Sequence, residues 1–285
     1  MVNGIVQNQT IEQQLLQISD ILLLNGTLTE CPGLVHGKIG ITIFFFHYTQ
    51  YTGNELFSDY AMDVIGEMLS QIHVNSPADY EKGVAGIGVG IDYLIRNDFL
   101  VVEDDICEDF DDRMYRAVMY DPWPDFSQYN GLTGYGRYWM TRLRYPAPAL
   151  QARECLLSII GKIEEQLLNI SIQEQTDVYC FLHDICQIQG FEMCKSLLAQ
   201  FNPQAVVDFS RLGSSVTGNI IRTVQQCRYF NNPRQDDINA ALTQIPDLDI
   251  EKPPASTGLL TGYAGEGMLR LTAIEPSMIS WMHLL

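Results

Sequence analysis

Cys180, His183 and Cys186 stand at three-residue steps in an otherwise apolar stretch, Cys180-Phe181-Leu182-His183-Asp184-Ile185-Cys186. Thiolate and imidazole are donors that zinc takes, so the trio is a candidate ligand set. Each step stops about 60° short of a helical turn, which spreads the three over a broad face. The residues favour a plainer reading, in which the thiols are small buried hydrophobes and His183 is a hydrogen-bonded core histidine. No cofactor is expected, and zinc enters only if these three have taken over its ligation. Cys31 and His36 form a second pair, read in the same way as structural.

Acid–base chemistry asks for two carboxylates at one pocket, and Glu81, Asp125 and Glu266 are the candidates. A pair of them would serve a glycosidase or lyase, as acid and base projecting from loops. Glu266 has Arg270 four residues on, so an ion pair along a helix is its other role. Trp123, in Asp121-Pro122-Trp123-Pro124-Asp125, belongs to a loop because the prolines exclude helix. It either stacks on a ligand or closes that loop.

These residues sit beside a repeated pattern, a glycine pair three apart opening an apolar run. Gly37-Lys38-Ile39-Gly40, Gly83-Val84-Ala85-Gly86, Gly131-Leu132-Thr133-Gly134 and Gly262-Tyr263-Ala264-Gly265 are intact copies, and Gly213-Ser214-Ser215-Val216 is a degraded one. The intervals are 46 residues from Gly37 to Gly83, 48 to Gly131, and 49 from Gly213 to Gly262. The gap of 82 from Gly131 to Gly213 holds an unmarked copy near Gln175-Thr176-Asp177-Val178. A fixed period of this length is one pair of helices copied along the chain, and six copies fit.

Between the motifs lie amphipathic segments. Residues 55–73 carry Leu56, Tyr60, Val64, Met68 and Ile72 in one row and Glu55, Asp59, Asp63 and Glu67 on the opposing face, as in a helix covering a core from outside. Residues 12–24, 103–119 and 149–168 read alike, and 191–201 and 236–245 are shorter members. The glycine-led runs are apolar all round. Residues 39–51 are rich in β-branched and aromatic side chains, which favours a strand. Their length and their sister copies favour a helix buried on every side. The expectation is a single all-α domain over residues 1–285, an α/α toroid of about six hairpins whose inner helices begin at Gly-x-x-Gly. Two glycines three apart then let neighbouring backbones approach.

In such a ring the inner helices start at one end. Their unsatisfied N–H groups and dipoles make that end attractive to anions. His36, Tyr80, Glu81, Lys82, Tyr129, Asn130, Asp177, Ser214 and Thr261 line this mouth, with Trp123 over it.

Gly33-Leu34-Val35-His36-Gly37-Lys38-Ile39-Gly40 and Gly258-Leu259-Leu260-Thr261-Gly262-Tyr263-Ala264-Gly265-Glu266-Gly267 resemble the repeats of the lanthionine synthetase C-like family, which read Gly-Leu-x-His-Gly-x-Ala-Gly-x-Gly. The resemblance implies an α/α toroid. It also implies a peptide substrate whose cysteine thiol, activated by zinc, adds to a dehydroamino acid to form a thioether. The family holds its zinc with a cysteine in one repeat and a Cys-His pair in the next. That pair falls here on Leu260 and Thr261, and the repeat before it, Gly213-Ser214-Ser215-Val216-Thr217-Gly218, has no cysteine. The resemblance therefore points to a zinc-free protein that binds a peptide or assists its modification. A sugar-active toroid using paired carboxylates, and a cyclase with relocated ligands, are the alternatives.

A net charge of −18 disfavours nucleic acid as a partner, because phosphate contacts need clustered Lys and Arg. Glu103, Asp104, Asp105, Glu108, Asp109, Asp111 and Asp112 concentrate much of the acid, as a solvated face or as a dock for a basic peptide. No apolar run is long enough to span a membrane, and residues 1–10 lack signal-peptide features. Seven cysteines without framework spacing suit free thiols, so a cytoplasmic setting is expected, with a peptide or sugar as ligand.

Overall fold

Each intact glycine pair begins a helix in the computed structural model, which describes residues 2–102, 105–203, 205, 207–230, 235–248, 253 and 256–285, with residues 2–10 and 235 as backbone alone. The α-helices are α1 (Val2–Asn25), α2 (Lys38–Thr52), α3 (Leu56–Gln71), α4 (Val84–Arg96), α5 (Glu108–Met119), α6 (Leu132–Arg142), α7 (Ala149–Gln166), α8 (Ile172–Ile185), α9 (Cys194–Leu198), α10 (Val216–Phe230), α11 (Gln235–Thr243) and α12 (Tyr263–Ile274). Tighter 3-10 segments cover Leu167–Asn169, Ser210–Leu212 and Pro276–Leu284. There is no strand among the described residues, so the aromatic run of α2 is helical despite its β-type composition.

The chain divides into two compact units, residues 1–72 with 212–285, and residues 73–211. In the first, α12 packs against both α10 and α2, with α1 on α12 and α3 on α2. In the second, α6 packs against both α4 and α8, while α5 contacts α4 and α6, and α7 contacts α6 and α5. The glycine-led helices are the buried ones. Every residue of α2 from Lys38 to Tyr48 is buried, as is every residue of α4 from Val84 to Leu94. In α3 only Ala61, Val64, Ile65 and Met68 are buried, a single stripe.

Why glycine recurs is visible in the atoms around it. A Cβ on Gly37, Gly83, Gly131 or Gly262 would come within 3.0 Å of a backbone carbonyl six residues earlier, at Cys31, Pro77, Asp125 and Ser256. Gly40, Gly134, Gly218 and Gly265 meet the carbonyls of Leu34, Gln128, Leu212 and Leu259 in the same way. The closest approach is thus between each helix start and its own loop, and the second glycine also admits the adjacent repeat, at Leu259 beside Gly40 and Tyr80 beside Gly134. A third position adds contact between helices. Gly88, Gly136 and Gly267 lie under the rings of Tyr138, Phe181 and Phe44, each ring seven residues past the first motif position of the adjacent buried helix.

This register corrects the degraded copies. Gly218 takes the second-glycine place and Ser215 the first, its Oγ accepting the Gly218 N–H at 3.0 Å. The sequence motif Gly213-Ser214-Ser215-Val216 is therefore two residues out of register, and Val216 opens α10. In the unmarked copy, Phe181 sets Glu174 and Asp177 at the two glycine places, and α8 starts a turn earlier, at Ile172, behind a Ser171–Glu174 capping box. The outer helices are shorter than their patterns. α9 keeps only Cys194–Leu198 of residues 191–201, and α5 starts at Glu108. Glu103 and Asp104 lie outside the described residues.

Candidate functional site

The loops before the buried helices use their own backbone to cap them. The N–H groups of Lys38, Val84, Leu132 and Tyr263 donate to the carbonyls of Cys31, Pro77, Asp125 and Ser256, each seven residues back, at 2.8–3.1 Å. Ile39, Ala85 and Ala264 repeat the step at 3.2–3.4 Å, to Pro32, Ala78 and Thr257. These are the donors that an anion at a helix start would use. They are already occupied, so the expected anion-friendly mouth is corrected: the loop carbonyls have taken its place.

Adjacent loops are then joined through backbone. Glu81 N–H donates to Tyr129 O at 3.1 Å, and Leu260 N–H donates to Val35 O at 3.2 Å, both between residues two before the first motif position. At α8 side chains take over this task. Glu174 Oε1 accepts Phe126 N–H at 2.7 Å, and Asp177 Oδ2 accepts Gln128 N–H at 2.8 Å.

Asp177 is buried, and its other oxygen accepts from Arg211 Nη1 at 2.5 Å. Arg211 Nη2 donates to Gln128 Oε1 at 3.1 Å, and its guanidinium lies over the rings of Tyr129 and Phe209. Burial raises the Asp177 pKa, with Arg211 and the Gln128 N–H pulling the other way. The Tyr129 hydroxyl is buried without a hydrogen-bond partner, and burial pushes its pKa well above that of a free phenol. Over this cluster opens a cleft of about 250 Å³, lined by Ser127, Gln173, Glu174, Asp177, Asp208, Ser210 and Arg211. Gln173 and Ser210 are exposed at its rim.

The other expected site residues fall into two groups. Tyr129 and Asp177 belong to this cluster, and Asn130 is exposed beside it with its N–H on Ser127 Oγ at 3.3 Å. Tyr80 is buried, Glu81 is half-buried with Lys82 Nζ 3.8 Å away, and Lys82 is exposed. In the other unit His36 is half-buried against Gly258, and Ser214 and Thr261 are exposed.

Two of the candidate carboxylates are committed elsewhere. Asp125 Oδ1 accepts from Ser127 N–H at 2.9 Å and Oγ at 2.7 Å, and Oδ2 accepts Trp123 Nε1–H at 2.8 Å. Trp123 therefore closes its loop while remaining 52% exposed. Glu266 is buried and takes Arg270 Nη1 at 2.7 Å, which is the helical ion pair of its other reading. Arg270 is fixed further by Gln14 Oε1 and Pro246 O. A buried pair of this kind suits packing rather than proton transfer.

Metal donors do not converge. Among the described residues no three His, Cys, Asp or Glu side chains are placed to hold an ion. Cys180 is buried and burial raises its thiol pKa, opposing the thiolate that zinc needs. His183 faces its neighbour Asp184 at 3.5 Å, and Cys186 lies beside Cys194. At the places of the family's Cys-His pair, Leu260 is buried and offers no donor, and Thr261 offers only a hydroxyl. These residues do not fit zinc.

Sequence reasoning missed Arg211, which has no motif, and a clamp in which Arg142 reaches both Asp105 and Asp111. The i,i−7 caps were equally hidden, although the loop lengths between Cys31 and Lys38 and between Pro77 and Val84 are the same. No protein-family model and no curated protein matches this chain.

Proposed function

We propose that the chain is a lanthionine synthetase C-like α/α toroid that binds a peptide at the loop end of its buried helices, without the family's zinc chemistry. The observation that carries this reading is the cleft beside α8. In that repeat alone carboxylates, Glu174 and Asp177, replace the glycines, and they hold the neighbouring loop by its N–H groups beside the hollow. A departure at both glycine places, where the α10 repeat departs only at Ser215, marks a functional place better than the repeat does.

An extended peptide presents N–H donors and carbonyl acceptors in alternation. The cleft offers both kinds of partner, an acceptor at Asp208 and donors at Gln173 and Ser210, while Glu174, Ser127 and Arg211 are already engaged and shape its wall. The toroid is supported by the contact of α12 with α2, which brings the last repeat onto the first in the register of the other neighbours. No thioether-forming step is assigned to these residues. A sugar-active reading loses its acid–base pair, because Asp125 and Glu266 are already held.

The test is selection of binders from a randomised displayed peptide library, followed by titration of the enriched sequences. Binding that weakens about tenfold in a Gln173→Ala, Ser210→Ala variant of unchanged melting temperature supports the proposal. Failure of any sequence to enrich, or full affinity in the variant, refutes it.

A further inference from the structure

Arg113 and Arg116, three residues apart on α5, are held by backbone carbonyls rather than by carboxylates, as Arg153 and Arg222 are singly at Gly190 O and Gly213 O, but here two such arginines share one loop. Arg137, Arg142, Arg144, Arg211 and Arg270 each pair with a carboxylate. Arg113 and Arg116 instead donate to the backbone of one loop. Arg113 Nε reaches Ser76 O at 2.8 Å, and Arg116 Nη2 reaches Val74 O at 3.0 Å. Among the described residues neither guanidinium is in an ion pair with a carboxylate. Acids outnumber bases 35 to 17 in this chain, so partners are abundant. Asp112, one turn before Arg116, contributes only its carbonyl, to Arg116 Nε at 3.3 Å.

The two side chains border a cavity of about 320 Å³, with Val74, Asn75, Tyr120 and Asp121 as the remaining walls. The carbonyl contacts aim the guanidinium groups and leave Arg113 both terminal amines and Arg116 its Nη1. That is a pair of forks, oriented by backbone and still holding donors, the usual equipment for an oxyanion. Asp121 at the rim, with Asp112 one turn before Arg116 on α5, lowers the local positive charge, which suits a monoanion better than a phosphate carrying nearly two charges. The loop that aims the arginines runs on into the cap of α4, where Pro77 O accepts Val84 N–H. The notch therefore adjoins the loop end to which the peptide reading assigns binding.

We infer that Arg113 and Arg116 form a carboxylate-binding notch that anchors a glutamate or aspartate side chain of a bound peptide. This rests on the peptide reading and adds to it an acidic anchor residue. Non-specific capture of such a peptide is opposed by the field of a chain carrying −18 charges, so affinity for it reports a built site.

The experiment is fluorescence anisotropy with a labelled, end-blocked tetraglutamate peptide and its tetraglutamine counterpart. Saturable binding of the first, at least about tenfold tighter than the second, is expected. Arg113→Gln with Arg116→Gln should remove that preference. Because those arginines also hold the loop at Val74 and Ser76, Asp121→Asn serves as the variant that keeps them: removing the rim charge should tighten binding about threefold. Equal affinity for the two peptides, or an Asp121→Asn variant that binds no better, overturns the inference. Displacement by inorganic phosphate at concentrations where acetate fails overturns the carboxylate assignment. If library-selected peptides bind while the arginine variant keeps their full affinity, the notch fails and the cleft reading stands. If neither they nor tetraglutamate bind, both fail.

Discussion

The ring of Phe44 covers Gly267, within 3.0 Å of where a Cβ would stand, just as the ring of Phe181 covers Gly136. One pair joins α12 to α2 and the other joins α6 to α8, so the same fit recurs in both units. An aromatic ring seated on a glycine buries flat apolar area against backbone, and it leaves no room for even one methyl group.

Alanine at these places should therefore destabilise. Gly267→Ala or Gly136→Ala gains up to about 1 kcal/mol of helix propensity but overpacks the ring contact at about 1–3 kcal/mol. Gly161, in α7, has nothing within 4 Å of its Cβ direction. Gly161→Ala should raise the melting temperature by about 2 °C, while the other two lower it. Thermal denaturation of the three variants reads the contrast directly.

Asp177→Gly would restore the repeat's own residue, and it should nevertheless weaken the protein. The change strands Arg211 and the Gln128 N–H, both of which Asp177 now serves. Losing one partner of a buried ion pair costs about 3–5 kcal/mol. Adding Arg211→Met to the variant should recover part of that loss in urea unfolding, because the stranded charge is then gone.

His47 should make stability depend on pH. It is buried in α2, and burial lowers its pKa to about 4. The unfolded chain then binds the extra proton over the range from about 6.5 down to 4, so stability falls as pH falls through that window and levels off below it. The total is about 3 kcal/mol. Urea unfolding at pH 7 and pH 5 should show the drop in the native chain and a smaller one in His47→Leu.

The helices were legible because each carries its signal locally. Gly83-Val84-Ala85-Gly86 marks the start of α4 to the residue, and the apolar rows of α3 identify its buried stripe. The starts of α8 and α10 were less legible, since Glu174 and Ser215 replace glycine and only packing against neighbours fixes their register. The site was half visible. Tyr129 and Asp177 stand beside motifs, whereas Arg211 comes from a loop with no pattern and meets Asp177 only through the fold. Glu266 was ambiguous in sequence because a carboxylate four residues before an arginine looks the same whether it pairs or projects.

The most direct test of peptide recognition is hydrogen–deuterium exchange of the intact chain with and without a library-selected peptide at saturation. The account predicts slowed exchange in residues 126–131 and 207–211, which border the cleft beside α8. Unchanged exchange in both segments, with the peptide demonstrably bound, would contradict it.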